Sequence, residues 1–116
     1  MKIDIDFLSK LAEAYLSYDA SVIENYLADD MHYASMWVFH EMTSKAEYME
    51  YLYGKLKTLK NKNICFEFEV VKGGMHEHAL LVTNQQGPNG EQLGFVADLN
   101  ENGKVIMLNM TASFLF

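Results

Sequence analysis

From Ile64 onward the hydrophobic spacing of this chain settles to a period of two, and that change restricts the folds open to it. Before Ile64, three segments carry apolar residues every three or four positions, the period of a helix buried on one side, with one strand-like run between them; after it apolar residues alternate, the period of a strand. Phe7, Leu8, Leu11, Tyr15 and Tyr18 mark a first helix from about Ile5 to Tyr18, capped by Asp4 or Asp6. Asp19 starts a short second helix with Val22, Ile23, Tyr26 and Leu27 on its apolar face, and Asp29-Asp30 closes it. The aromatic, partly β-branched run from Met31 to Phe39 is expected to be a strand. Ser44 and Glu47 then form a capping-box signature, and a third helix runs to about Lys60 with Tyr48, Tyr51, Leu52, Leu56 and Leu59 as its stripe.

Beyond the switch, Ile64, Phe66, Phe68 and Val70 alternate with Cys65, Glu67 and Glu69, a half-solvated strand. Gly73-Gly74 turns the chain. His78 to Gln85 and Gln92 to Leu99 are the next strands, separated by the turn Gly87-Pro88-Asn89-Gly90. Asn102-Gly103 signals a type I′ hairpin, in which both central residues take positive φ. The last strand, from Lys104 to Phe116, is uniformly apolar at Ile106, Leu108, Met110, Ala112, Phe114 and Phe116, and half-polar on the other face. This order is α+β: three N-terminal helices packed in a strongly curved, mostly antiparallel sheet, with a conical cavity between them.

Composition narrows the partners. The 116 residues are the size of one domain, read here as 1–116. Nine basic and sixteen acidic residues give a net charge of −7, which disfavours nucleic acid and anionic membrane as partners. There is no arginine, so the bidentate clamp for phosphate or carboxylate is missing. The single cysteine, Cys65, lies in an apolar pattern and is expected to be a buried, inert thiol. Asp4, Asp6 and Lys10 interrupt any signal-peptide core, and no apolar run has transmembrane length, so a cytoplasmic protein is expected.

Several segments resemble the nuclear transport factor 2-like superfamily, which includes the SnoaL-like proteins. They are the first helix ending at Tyr18-Asp19, the run Tyr26-Leu27-Ala28-Asp29-Asp30-Met31-His32-Tyr33, the helix from Ser44 to Leu56, and Ser35-Met36-Trp37-Val38-Phe39, which is similar to small bacterial members. The resemblance covers nearly the whole chain and implies the cystatin-like cone. It does not choose a function, because the superfamily holds isomerases, dehydratases, hydrolases, cyclases and non-catalytic binding or dimerising domains. The catalytic residues of the isomerase branch map, without gaps, onto Ser35, Leu11 and Phe95, which supply neither base nor oxyanion donors. The Asp-Arg-Asp set of epoxide-hydrolase-like members cannot be built without arginine, and no His–Asp pair of the dehydratase kind stands out.

Strand alternation places Tyr33, Ser35 and Trp37 on one face, toward the cavity. Tyr15, Tyr48, Tyr51, Phe95, Leu108 and Met110 complete an aromatic lining suited to a flat apolar ligand fixed by a few hydrogen bonds; the competing reading is that these aromatics fill the cone as core. His40 and Glu41, at the expected cavity mouth, are the remaining acid/base candidates, against the reading of a solvated loop. His32 is expected at the surface or an interface. His76-Glu77-His78 offers two ligands on one strand face, too few for a structural metal site, so no metal and no cofactor are expected. The expected function is binding of a small apolar or aromatic ligand, with a homodimer through the outer sheet face; the alternatives are an isomerase-, dehydratase- or hydrolase-type enzyme and a purely structural dimerisation module.

Overall fold

The computed structural model describes residues 4–35, 40–87 and 89–112. Helix α1 (Ile5–Ser17) buries Phe7, Leu8, Leu11, Ala14 and Tyr15, the stripe that the spacing predicts. It stops at Tyr18, whose φ of 56° is left-handed; the N–H groups of Tyr18 and Asp19 close back on the carbonyls of Tyr15 and Ala14. The Tyr18 hydroxyl donates to Ile64 O at 2.9 Å, which anchors a residue in a conformation that side chains rarely favour. Asp19 accepts from Ser21 N at 3.0 Å and starts the next segment, as expected.

That segment corrects the expected second helix. Ala20–Tyr26 is a 3-10 helix, and the chain is already extended at Leu27. Ala20, Ile23 and Tyr26 recur every third residue, which matches the 3-10 period, while Leu27, the last residue of the expected α-helical stripe, is already in the strand. Asp29 and Asp30 therefore do not close a helix. They lie exposed within strand β1 (Leu27–Ser35). β1 pairs in parallel with the last strand through Leu27↔Val105 and next through His32↔Met107, so the extra β1 residues bulge and turn both aspartates to solvent. Residues 36–39, the rest of the expected strand, are outside the described set. Met42 exchanges backbone hydrogen bonds with Tyr33, each 2.9 Å.

Helix α2 (Lys45–Asn61) starts where the capping signature puts it: Glu47 N donates to Ser44 Oγ at 3.1 Å, and Glu47 Oε1 accepts from Thr43 N at 3.1 Å. Tyr48, Met49, Leu52 and Leu56 are its buried face. Strand β2 (Phe68–Lys72) begins later than the alternation predicts. Upstream of it Thr83 N still donates to Glu67 O at 2.8 Å, and the Asn84 side chain adds to the ladder, accepting from Glu67 N at 2.8 Å and donating to Cys65 O at 3.0 Å. Cys65 is exposed, which overturns the expected buried thiol; it shares the phase of Glu67 and Glu69, not that of Phe66 and Phe68.

Strands β3 (His78–Gln86), β4 (Gln92–Leu99) and β5 (Val105–Ala112) complete a sheet of order β1-β5-β4-β3-β2, antiparallel except for the β1–β5 pair. The turn before β5 is not the expected type I′ hairpin. Gly103 has φ 76° but Asn102 is not left-handed, and Asn100 Oδ1 instead accepts from Asn102 N and Lys104 N. The inward phase of β5 also needs a correction. Asp98 pairs with Met107 and Leu99 with Val105, so Ile106 is skipped; it is 39% exposed while Val105 is buried. The helices cover one face of the sheet, where Leu80, Leu93, Phe95, Leu108 and Met110 meet α1 and α2 in a single core.

Candidate functional site

Two aromatic groups fill the closed part of the cone. Tyr15 of α1 packs at 5.5 Å from Phe66, 5.6 Å from Phe68 and 5.6 Å from Phe95 between ring centroids. Tyr33 of β1 stacks at 4.7 Å on Tyr48 and 5.6 Å from Tyr51, both of α2. Tyr15, Tyr33, Tyr48, Phe95 and Leu108 are buried. Burial pushes the phenols of Tyr15, Tyr33 and Tyr48 far above their ordinary value, and each also feels Tyr51. Among the described residues the hydroxyls of Tyr33 and Tyr48 make no hydrogen bond of good geometry, although Ser35 and Tyr51 lie near Tyr33.

The cavity that remains lies at the open end. It measures about 320 Å³ and is lined by Tyr51, Lys55, Phe66, Gln85, Gln86, Leu93 and Met110. Of the residues singled out from the sequence, Tyr51 and Met110 line it. Tyr15, Tyr33, Tyr48, Phe95 and Leu108 are packed in the core and Ser35 is half-buried beside Tyr33. Trp37 lies outside the described residues. A second, wider groove of about 690 Å³ runs along α2 from His40 and Glu47 to Leu59, and it shares Tyr51 and Lys55 with the first.

Lys55 is the residue that the sequence reading missed. Its Nζ is 5.3 Å from the Tyr15 ring centroid and 5.7 Å from that of Tyr51. Lys55 is half-buried, and loss of hydration lowers its pKa against the opposing charge and hydrogen bond of Tyr51. The available signal was positional. Lys55 falls between Leu52 and Leu56 and one turn beyond Tyr51, so it interrupts the inner edge of the apolar stripe.

The acid/base candidates are not brought together. His40 Nε2 is 3.3 Å from Glu47 Oε2, whereas Glu41 Oε2 is 2.6 Å from His32 Nδ1, and all four groups are well exposed. The Thr43 amide, with His40 second, holds the Glu47 carboxyl below its ordinary value. His76 and His78 diverge as well. His76 Nε2 is 3.3 Å from Asp98 Oδ1 and His78 Nδ1 is 2.8 Å from Asp4 Oδ1. Asp4, the residue before α1, thus spends its carboxylate on β3 and makes no side-chain cap. Asp4, Glu77 and His78 place three potential ligand atoms within 4.8 Å, but the Asp4–His78 bond accounts for two of the three.

No family model matches the chain, and no curated protein matches it in sequence. Solved structures do. A SnoaL-like protein of unknown function from Burkholderia thailandensis superposes with a TM-score of 0.68 at 16% identity, over 92% of this chain and 91% of its own. A nuclear transport factor 2-like protein of unknown function from Burkholderia pseudomallei gives 0.66 at 14%, over 97% and 92%. An epoxide hydrolase/cyclase-like enzyme with a role in pyran ring formation in polyether salinomycin gives 0.58 at 13%, over 95% and 90%. Cystatin-fold proteins are among the other matches. At these identities the likeness concerns backbone architecture. With its open, strongly paired sheet and the helices on one face of it, the chain has the cystatin-like, nuclear transport factor 2-like fold of the SnoaL-like proteins.

Proposed function

We infer that this chain is a small-molecule-binding domain that holds a flat, largely apolar ligand at the open end of the cone. The observation that carries this reading is the cavity of about 320 Å³ whose walls Tyr51, Phe66, Leu93 and Met110 are apolar or aromatic. Such surface stays costly to hydrate until a ligand or a partner covers it. The cyclase-like neighbour shows that this fold can carry catalysis in another protein. Here the histidines and carboxylates at the rim are exposed and paired elsewhere, which favours binding over general acid–base chemistry.

The test is a titration with 2-naphthamide followed by amide chemical shifts. Shifts at Tyr51, Phe66, Leu93 and Met110, abolished in Met110→Trp, would support the site. Binding that survives the tryptophan plug would place the ligand elsewhere.

A homodimer through the outer sheet face is a second reading, supported by one observation. Val71, Ala79, Leu81 and Val96 form an apolar cluster on the face away from the helices. Sedimentation at micromolar concentration should then show a dimer that Met107→Asp or Thr111→Lys dissociates. A wild-type monomer would end this reading.

A further inference from the structure

The polar groups that line the open cavity are Lys55, Tyr51, Gln85 and Gln86, with one cation and no carboxylate among the described residues. The rings of Tyr33 and Tyr48 pack behind Tyr51, at 5.6 and 6.3 Å between ring centroids. All of these groups can donate a hydrogen bond, and none is a carboxylate. Among the described residues no carboxylate forms an ion pair with Lys55; Lys10 pairs with Glu13, and the other acidic partners are taken by histidines. Glu47 and Glu50 lie in the neighbouring groove along the outer flank of α2, and both are exposed.

An ammonium withdrawn from water needs compensating charge or acceptors. The faces of Tyr15 and Tyr51, at 5.3 and 5.7 Å, and the Tyr51 hydroxyl as a neutral acceptor return part of what hydration supplied. No carboxylate among the described residues lines the cavity to pair with Lys55, and what its walls offer beside Lys55 is an apolar surface formed by Phe66, Leu93 and Met110. A carboxylate attached to a ring system supplies both parts. The volume of about 320 Å³ suits a bicyclic acid rather than a long lipid chain.

We propose that the cavity takes an aromatic carboxylic acid, its carboxylate on Lys55 Nζ and its ring against Tyr51, Phe66, Leu93 and Met110. This deepens the pocket reading above and rests on it. The carboxylate recovers the solvation that Lys55 loses on folding, and the lysine gives the pocket a preference that a wholly apolar cavity would not have.

Two probes of the same shape separate the two claims. 2-Naphthoate and 2-naphthamide are titrated calorimetrically into the full chain and into Lys55→Met and Lys55→Gln, with circular dichroism to confirm folding. The expected result is a preference of wild type for the acid by about tenfold or more. In both variants the ratio of acid to amide affinity falls to about one. Equal affinities in wild type, or a preference for the acid that persists without Lys55, would overturn the proposal and leave the pocket standing. If neither probe binds, the pocket reading falls and this proposal with it.

Discussion

The closed and open halves of the cone use the same residue types for opposite ends. In the closed half, Tyr33 and Tyr48 are fully buried and stack at 4.7 Å, and their hydroxyls gain no good hydrogen bond among the described residues. Their rings act as core, and their phenols are a cost that the packing carries. In the open half, Tyr51 is half-buried, touches Tyr33 with one edge of the stack, and turns to the cavity beside Lys55. Tyr48 and Tyr51 are three residues apart on one helix. The step from one to the other is less than a turn, yet it separates a filler from a wall. Aromatic residue type alone therefore does not identify a ligand site. What decides is what lies against each ring: Tyr48 stacks on Tyr33 of β1, whereas Tyr51 also lines the cavity with Gln85 and Met110.

The sharpest way to break this contrast is alkaline titration. Tyr15, Tyr33 and Tyr48 have folded-state pKa values raised above the ordinary 10.0. Below pH 10 both folded and unfolded chains hold these protons and no stability is lost. Above it the unfolded chain releases them and the folded chain cannot, so stability falls by about 1.4 kcal/mol per pH unit for each phenol. Lys55 acts in the opposite sense. Its lowered pKa lets the folded state shed a proton before the unfolded state does at the ordinary 10.5, and stability rises slightly through that window. The three tyrosines outweigh the one lysine. Absorbance of phenolate near 295 nm should show only part of the tyrosines titrating near pH 10, with the remainder appearing together with unfolding. A single smooth transition for all of them in the folded protein would mean that the closed half is wet.

Truncation gives the next largest effect. Phe95→Ala removes a ring that Tyr15 packs against at 5.6 Å, and it should cost about 3–5 kcal/mol in urea unfolding. Tyr51→Ala at the open end should cost less than about 2 kcal/mol, because part of that ring already faces solvent. If the two losses are equal, the open half is as tightly filled as the closed one and the cavity has no place in function.

Smaller substitutions sharpen the same contrast. Tyr48→Phe deletes a buried hydroxyl without a good acceptor and should leave stability unchanged or raise it by about 1 kcal/mol. Lys55→Met removes a half-buried charge and should also stabilise, by about 1 kcal/mol, from the other side of the helix turn. A loss on Tyr48→Phe would reveal a partner for that phenol. A loss on Lys55→Met would show that the two ring faces more than offset the desolvation.

Much of the architecture was legible because it rests on local rules. The buried stripe of α1, the Ser44–Glu47 cap and the positions of β3 and β4 follow from period and from the hydrogen-bonding needs of helix ends. The points that were not legible are places where two segments meet. The three-residue period of Ala20, Ile23 and Tyr26 is visible, but its choice over an α-helix depends on the strand that begins at Leu27. The exposure of Asp29 and Asp30 inside a strand, and the reversal of Val105 and Ile106, come from register shifts between partner strands, which neither strand encodes by itself. Cys65 was legible by phase and misjudged by chemistry: its neighbours Glu67 and Glu69 place it on the solvated side.

The site divides in the same way. Sequence determined that the chain would be α+β, that aromatics would crowd one face of α1, β1 and α2, and that no arginine would be present to hold an anion. Only the tertiary structure decided which aromatics packed in the core and which faced a cavity, because that depends on which residues of other elements come to lie against each ring. It also decided that, among the described residues, the cation lining that opening is Lys55. A lysine on a helix flank is ordinarily solvated; here its ammonium lies between the rings of Tyr15 and Tyr51, which come from two different helices and meet only in the folded chain.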